Sequence, residues 1–320
     1  MKKITIAIAF FCICFSFDFA CSNRANLITV DDEGDGDFTS IIEAVNYLQP
    51  GDTIEVYSGT YYEYYIWINV SNVIIRGVDF ELGNGNDTGK PRIYGEDKER
   101  IFLTSNVNNI TINNFFFDNR GPDGVNMILG LYDSENITIS DSIFFNCTHG
   151  IKIYESNYCI INNNTIAHTS NRAGIHVHYA SNIVITNNKI FDIPNFRGIN
   201  LWDADHCIIE NNIISECGES CIEVSSCVGT EIRHNQLTDS EYGIRMYLSY
   251  NTIVENNYFD NNHLHARFQQ GRYIPGNNRW DGNYWARGRI IPVAIPGYIL
   301  QFIPWINIDW YPAMEPYQIS

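Results

Sequence analysis

Polar and aromatic side chains recur at fixed places in a series of short segments between residues 126 and 269. The segments include GIKIY at 150–154, GIHVH at 174–178 and GINLW at 198–202. Because alternate residues of a β-strand point to the same side, each segment presents two such side chains on one face. The first position is occupied in successive segments by Asn126, Lys152, His176, Asn200, Glu223, Arg245 and Arg267. The second position is occupied by Ile128, Tyr154, His178, Trp202, Ser225, Tyr247 and Gln269.

The polar strip, which we define as the members of both columns from Lys152 to Gln269, has the chemistry of a sugar-binding surface. Aromatic rings can stack on the C–H faces of sugars, while amides and charged groups bond the hydroxyls. Basic side chains collected on an acidic protein favour a ligand that carries carboxylates. We therefore predict an extracellular polysaccharide, with uronates as its charged units, as the partner. The alternative is an outer surface that binds nothing. The predicted substrate-binding residues, on the strip or beside it, are Tyr154, Arg172, His178, Arg197, Asn200, Trp202, Asp203, Tyr247 and Arg267.

Two cleavage reactions are open to these side chains. Glycoside hydrolysis needs two carboxyl groups about 5–9 Å apart, and Glu223 could form such a pair with Asp203 or Asp205. Elimination from a uronate needs a base and a group that neutralises the substrate carboxylate. The bases available for elimination are Lys152, His176 and His178, and the neutralising groups are Arg197 and Arg245. The candidate catalytic residues are therefore Lys152, His176, Glu223 and Arg245. The sequence leaves open whether the protein cleaves its ligand, as a polysaccharide lyase or a glycoside hydrolase, or only binds it.

Metal binding is a weaker alternative for the same face. His176 and His178 are two residues apart on one strand, so both point outward, and copper or zinc accepts imidazole. No third ligand is evident on that strand, and the candidates on neighbouring turns are Asp203 and Glu223. The acidic run DDEGDGD at 31–37 nearly matches a calcium loop, although its third position is Glu33 and its twelfth is Ile42. We interpret this run as a solvated loop. No cofactor is required, and calcium or copper stays an unsupported option.

The strip is part of a repeat that runs from about residue 106 to 262. The sequence NITINN at 109–114 returns as NITISD at 136–141 and as NIVITN at 182–187. Spacings of 22–27 residues and alternating apolar positions predict strands, with stacked neighbours burying a continuous core. One predicted inward column is Phe117, Phe144, Ile166, Ile190, Ile214, Leu237 and Phe259. A predicted column of stacked, mostly amide side chains is Asn114, Asp141, Asn163, Asn187, Asn211, His234 and Asn256.

Both ends of such a stack need covers. At the front, Ser40 and Glu43 predict a capping box for a short helix whose apolar face covers the first turn of an N-terminal region at 26–105. At the back, residues 263–320 lose the period and predict an irregular cap. Its apolar segment 290–306 is a candidate cover for an exposed aliphatic stripe. The stripe consists of Ile160, Val184, Ile208 and Ile253.

Three segments resemble a known superfamily. Residues 36–63 are similar to the opening of pectin-lyase-like right-handed β-helix proteins. The Asn-rich turns resemble NosD-type, or carbohydrate-binding and sugar-hydrolysis (CASH), repeats, and NRWDGNYW at 278–285 and IDWYPAMEPY at 308–317 resemble the closing segment of NosD-like proteins. The resemblance implies an all-β, single-stranded right-handed parallel β-helix with a short capping helix and an irregular C-terminal cap. It implies function only weakly, because the fold hosts lyases, hydrolases, epimerases, esterases and non-catalytic proteins. It adds one alternative, a non-catalytic scaffold or accessory factor for copper enzymes.

The first residues predict export. Lys2 and Lys3 precede an apolar run at 4–17 that is too short to span a bilayer, so we expect a signal peptide over 1–20. Cleavage before Cys21 with lipidation of that residue is one alternative. The formal net charge of −17 argues against binding to nucleic acid. We expect a monomer located in the periplasm, at the cell surface or in the medium, with no transmembrane segment.

The nine cysteines give few constraints. Cys12 and Cys14 would leave with the signal peptide. Cys159 and Cys207 belong to one inward column two turns apart, roughly 10 Å, which is too far for a disulfide. Export permits disulfides, and one disulfide could form within a cluster of three cysteines. The cluster is Cys217, Cys221 and Cys227.

Overall fold

The computed structural model describes residues 25–83, 85–95, 100–119, 127–170, 172–271, 277–300 and 302–317. The proposed signal peptide at 1–20, Cys21 and Asn126 lie outside the described residues. The chain is an all-β parallel solenoid of about ten turns, so the predicted fold class is confirmed. In the described part, no helix is long and apolar enough to cross a membrane.

Most turns of the solenoid contribute three strands, and each strand stacks in parallel on its counterpart in the next turn. We number the strands in chain order and call the three stacks faces 1, 2 and 3. Face 1 is β1 (Leu27–Val30), β2 (Thr53–Val56), β5 (Val73–Gly77), β8 (Asn108–Asn113), β11 (Glu135–Ser140), β14 (Ile160–Asn162), β17 (Val184–Thr186), β20 (Ile208–Glu210), β23 (Glu231–Arg233), β26 (Ile253–Glu255), β29 (Arg279–Asp281) and β32 (Ile303–Asp309). Face 2 is β3 (Thr60–Tyr62), β6 (Arg92–Tyr94), β9 (Phe116–Asp118), β12 (Ile143–Cys147), β15 (Thr165–Thr169), β18 (Lys189–Phe191), β21 (Ile213–Ser215), β24 (Gln236–Thr238), β27 (Tyr258–Asp260) and β30 (Tyr284–Trp285). Face 3 is β4 (Ile66–Ile68), β7 (Arg100–Ser105), β10 (Met127–Tyr132), β13 (His149–Tyr154), β16 (Ile175–Ser181), β19 (Ile199–Asp205), β22 (Ser220–Ser225), β25 (Tyr242–Tyr247), β28 (Leu264–Gln270) and β31 (Val293–Ile299).

The core lies inside the coil and consists of apolar columns. The predicted inward column from Phe117 to Phe259 is fully buried at every level. Neighbouring members pair in register, as Ile190 does with Ile214, so each ring or aliphatic chain packs on the one below. Burial of this kind stabilises only a stack of turns, because a single turn leaves both of its core surfaces open.

The stacked amides lie one residue later than we predicted. The predicted positions, such as Asn187 and Asn211, have a φ of 56° and form the corner between faces 1 and 2. This left-handed conformation, which asparagine tolerates, turns the following side chain inward. The buried ladder is Asn164, Asn188, Asn212, Asn235, Asn257 and Asn283, and it ends at Asp309.

A helix covers the first turn, as predicted. Helix α1 (Ile41–Val45) begins after Ser40, whose hydroxyl accepts a hydrogen bond from the amide of Glu43 at 3.3 Å. The remaining amides at its start donate to the carboxylate of Glu63, at 2.9 Å from Ile41 and 2.8 Å from Ile42. A residue from the neighbouring turn therefore completes the cap that a local capping box would have supplied.

The C-terminal segment is more regular than expected and packs elsewhere. The parallel stack continues beyond residue 262 through β28, β29 and β30. Strands β31 and β32 then pair antiparallel as a hairpin that joins faces 1 and 3 at the end of the stack. The prediction that 290–306 covers the aliphatic stripe is therefore wrong. Ile160 of that stripe stays 40% exposed.

The disulfide that the sequence leaves open among Cys217, Cys221 and Cys227 is not formed. All six described cysteines are free thiols and are buried. Cys217, Cys221 and Cys227 fill positions in the inner wall, where Cys221 Sγ donates to the hydroxyl of Ser240 at 3.2 Å. Burial raises the pKa of Cys227 to about 12, so this thiol is an unreactive core residue.

Candidate functional site: the polar strip of face 3

Face 3 carries both columns of the polar strip in strand register. Lys152 pairs with His176, His176 with Asn200, and Asn200 with Glu223. Arg245 and Arg267 follow on the next two strands. The second column continues from Gln269 to Tyr298 of the C-terminal hairpin.

The predicted strand register is wrong for the first member of each column. Strand β10 places Gly130 beside Lys152 and Tyr132 beside Tyr154. Ile128, which we placed in the second column, is fully buried. The step from β10 to β13 is 22 residues, whereas the segment spacing we used was 26, so the alignment slipped by four positions.

The side chains in the middle of the strip are buried, whereas those at its edge are exposed. Asn200 is 8% exposed and Glu223 is 6% exposed, while Trp202 is 48% exposed. The Oδ1 atom of Asn200 is buried and accepts no hydrogen bond from the protein. A buried acceptor of this kind favours a ligand or water with a donor to offer.

A four-residue ion network occupies the centre. Arg197 lies 3.0 Å from Glu223 and 2.6 Å from Glu219. Arg245 lies 3.6 Å from Glu223 and 3.7 Å from Glu219, and its Nε donates to the hydroxyl of Tyr247. Sequence reasoning missed Glu219, because it precedes the strand and strand alternation does not apply there. The two carboxylates and the two guanidinium groups compensate each other within the protein.

This network disagrees with the predicted catalytic roles. Arg197 and Arg245 are already paired, so neither is free to neutralise a uronate in an elimination. The carboxylate of Glu223 is paired with both Arg197 and Arg245, so it is not free to act in hydrolysis. Asp205 accepts a hydrogen bond from the amide of Val228 at 2.7 Å, so its carboxylate supports a corner. Asp203 lies at the left-handed corner after Trp202, with a φ of 48°.

Three histidines form one end of the strip. The ring of His149, which the sequence analysis did not include, stacks on His176 at 5.7 Å, and His176 stacks on His178 at 5.9 Å. Burial, followed by neighbouring positive charges that include the exposed Arg172, lowers the pKa of His149 to about 3 and that of His176 to about 4. Burial also lowers the pKa of His178. The Nε2 atoms of His176 and His178 have no hydrogen-bond partner, so neutral imidazoles are present that can bond hydroxyl groups.

These histidines do not form a preformed copper centre. In the described ranges, no carboxylate, thiol or third imidazole lies close enough to complete a group with His176 and His178. Copper and zinc sites in proteins use three or more such ligands.

Aromatic rings border the strip on its second column. The ring of His178 stacks on Trp202 at 4.8 Å with a 19° angle between the planes. The ammonium group of Lys152 lies 5.4 Å from the Tyr132 ring and 5.6 Å from the Tyr154 ring. These flat surfaces at an exposed edge suit stacking on a sugar.

The strip ends in a pocket against the C-terminal hairpin. The pocket has a volume of about 580 Å³ and is lined by Arg267, Tyr298, Trp305 and other side chains of β28, β31 and β32. The guanidinium of Arg267 lies 5.4 Å from the Tyr298 ring. In the described part of the chain, Lys152, Arg172 and Arg267 form no ion pair, so uncompensated cations lie at both ends of the strip.

Comparison with protein families identifies a match over about half of the chain. Residues 120–288 match the model of the family described as periplasmic copper-binding protein (NosD). The chain belongs to the NosD family. This is a right-handed β-helix family, in agreement with the solenoid and with the resemblance seen in the sequence. No curated protein matches the chain.

Solved structures share the NosD-family fold at low sequence identity. DFA-IIIase from Arthrobacter chlorophenolicus A6, solved in complex with GF2, is 14% identical with a TM-score of 0.55, and the match covers 82% of each chain. The GH136 lacto-N-biosidase from Eubacterium ramulus is 13% identical with a TM-score of 0.51, and the match covers 79% of this chain and 65% of that one. At such identities the likeness establishes the fold alone.

Proposed function

We propose that this NosD-family protein acts outside the cytoplasm and binds an acidic, uronate-containing polysaccharide along the polar strip. The observation that carries the proposal is the arrangement of uncompensated cations at both ends of the strip, with neutral hydrogen-bonding groups and an ion network of balanced charge between them. Lys152 and Arg267 are five turns apart, about 24 Å, which suits an extended chain better than a single sugar. Two solved neighbours, DFA-IIIase and the GH136 lacto-N-biosidase, are carbohydrate-active enzymes, which supports a sugar ligand.

Binding is the activity that the geometry supports best. The ring of Trp202 offers a stacking surface, Asn200 Oδ1 and the imidazoles of His176 and His178 accept hydrogen bonds, and the terminal cations attract carboxylates. The centre of the strip, where Glu223 and Arg245 neutralise each other, offers neither a free acid nor a free cation for bond cleavage. Cleavage is therefore not part of the proposal.

A glycan array tests the proposal. The protein without residues 1–20 is applied to neutral and uronate-containing polysaccharides, and bound samples are assayed for new reducing ends and for unsaturated products. We expect retention on uronate-containing glycans with neither product. Retention on neutral glycans alone, or on none, would contradict an acidic ligand, and either product would show that the protein is a hydrolase or a lyase.

A second candidate rests on the family description. A periplasmic copper-binding family would also accommodate a non-catalytic scaffold or accessory factor for copper enzymes. Copper titration followed by equilibrium dialysis distinguishes the two. Stoichiometric copper retention that His176→Ala abolishes would favour the accessory factor, and no retention would favour the polysaccharide.

A further inference from the structure

Four carboxylates lie close together at the N-terminal end of the solenoid, several turns away from the centre of the polar strip. Asp31, Asp32 and Glu33 directly follow β1, and Glu81 follows β5. One oxygen of each lies within 4.8 Å of the others. In the described ranges, no second group of three or more histidine, cysteine or acidic side chains comes together in this way.

The backbone holds the carboxylates in place through only part of each group. Asp31 is fully buried, and its Oδ2 accepts hydrogen bonds from the amides of Gly34 and Asp35 at 3.1 and 3.0 Å. Its Oδ1 is buried and accepts none. Asp32 Oδ2 accepts from the amide of Thr60 at 2.9 Å, while its Oδ1 also has no partner. A fully buried carboxylate oxygen without a donor leaves a desolvation cost that a bound cation would offset.

Glu81 brings the fourth carboxylate from the adjacent loop. The backbone oxygen of Phe80 accepts a hydrogen bond from the amide of Ser58 at 3.2 Å, which fixes the start of this loop. Both carboxylate oxygens of Glu81 are buried without a hydrogen-bond partner. Burial, followed by the neighbouring carboxylate of Asp31, raises the pKa of Glu81 to about 7. In the described residues, no lysine or arginine forms an ion pair with any of the four.

We propose that Asp31, Asp32, Glu33 and Glu81 bind one divalent cation, with calcium preferred to magnesium. The donors are all oxygens, which hard cations require. Calcium takes its ligands at about 2.4 Å, so two of its ligands lie at most about 4.8 Å apart, and the oxygens of this group all lie within 4.8 Å of one another. Magnesium demands a near-ideal octahedron and keeps more of its water, whereas this group supplies four carboxylates from two loops. The bound cation fastens the loop after β1 to the loop after β5.

The sequence run at 31–37 does not reveal this site. A calcium loop of the EF-hand type takes a bidentate glutamate from its own twelfth position, which is Ile42 in this chain. Here the last carboxylate comes from Glu81, on a different turn. We predicted a solvated loop from residues 31–37 alone, and that run does not include Glu81 on the neighbouring turn.

Isothermal titration of the EDTA-treated protein without residues 1–20 tests the site, with CaCl₂ and separately MgCl₂ as titrants. We expect one calcium per chain, weaker magnesium binding, and at least a tenfold loss of calcium affinity in Glu81→Gln. The matched control is Glu241→Gln, an exposed glutamate on another turn, whose affinity should equal that of wild type. Glu33→Gln, which changes an exposed ligand, should weaken binding without affecting folding.

Two results would overturn the proposal. One is the absence of saturable calcium binding in the wild type, which would mean that the carboxylates share protons instead. The other is unchanged affinity in both Glu81→Gln and Glu33→Gln. Neither result depends on the polysaccharide, so the cation site and the polar strip are tested independently of each other.

Discussion

Asn212 donates its side-chain amide to Oδ1 of Asn235, one turn further along the solenoid, at 3.0 Å. The same Asn212 side chain also donates to the carbonyl oxygen of Ile185 in the preceding turn at 2.9 Å. In return, Oδ1 of Asn212 accepts a hydrogen bond from the backbone amide of Asn188 at 2.9 Å. One side chain thereby satisfies two buried backbone groups of the preceding turn and bonds a side chain of the next turn, so the ladder ties three successive turns together where the chain bends from face 1 to face 2.

Removing one member of this ladder should destabilise the fold. Asn212→Ala leaves the Ile185 carbonyl, the Asn188 amide and Asn235 Oδ1 each short of a buried partner. At about 1–3 kcal/mol for an unsatisfied buried group, with partial relaxation, we expect a loss of about 3 kcal/mol in the free energy of unfolding. Urea titration followed by circular dichroism measures it. Asn108→Ala, an exposed asparagine in β8, should stay within about 0.5 kcal/mol of wild type, and an equal effect of both substitutions would refute the role of the ladder.

Acidification should destabilise the protein through two half-buried histidines, His149 and His176. The folded-state pKa values of about 3 for His149 and about 4 for His176 lie below the ordinary value of about 6.5. The unfolded chain therefore binds more protons as pH falls below 6.5, and stability is lost between pH 6.5 and about 4 through His176 and down to about 3 through His149. Each of the two histidines contributes a loss of about 1–2 kcal/mol by pH 5.

The substitution His149→Phe isolates this contribution. Phenylalanine keeps a ring against His176 but cannot titrate, so the difference in unfolding free energy between variant and wild type should shift in favour of the variant as pH falls from 6.5 to 5. His263→Phe, at an exposed histidine, serves as the control and should show a constant difference. If the His149→Phe difference is also constant, His149 is not held neutral by burial.

The ion network should limit the attraction of the strip for anions. Glu223→Gln removes one negative charge from between Arg197 and Arg245, so we expect a loss of about 2 kcal/mol in stability together with tighter, more salt-dependent binding of an acidic oligosaccharide. Titrations at low and high salt measure both effects. Glu135→Gln makes the same change in charge at an exposed glutamate of face 1 and should leave affinity unchanged. Weaker binding in Glu223→Gln would instead show that Glu223 itself contacts the ligand.

Repeat spacing and alternation predicted the solenoid, its core columns and the strip, because both properties are set by the strand backbone. The same reasoning failed where residues leave the strands. Left-handed corners moved the amide ladder from Asn211 to Asn212, and an irregular spacing before β13 misplaced Ile128. Glu219 and His149 lie outside the alternating positions that we used. Ion pairs such as that of Arg197 with Glu219 depend on how corners fold in three dimensions, which periodicity does not specify.

The central claim is that the polar strip binds an acidic glycan, and the affinity of Trp202→Ala tests it most directly. Trp202 is the exposed stacking surface of the strip, while Trp310 is a tryptophan of similar exposure, at 60%, beyond the last strand. Isothermal titration with a uronate-containing oligosaccharide should show a dissociation constant at least tenfold larger for Trp202→Ala, which is a loss of about 1.4 kcal/mol in binding free energy. The dissociation constant of Trp310→Ala should equal that of wild type. Wild-type affinity in Trp202→Ala, or an equal loss in both variants, would contradict the claim.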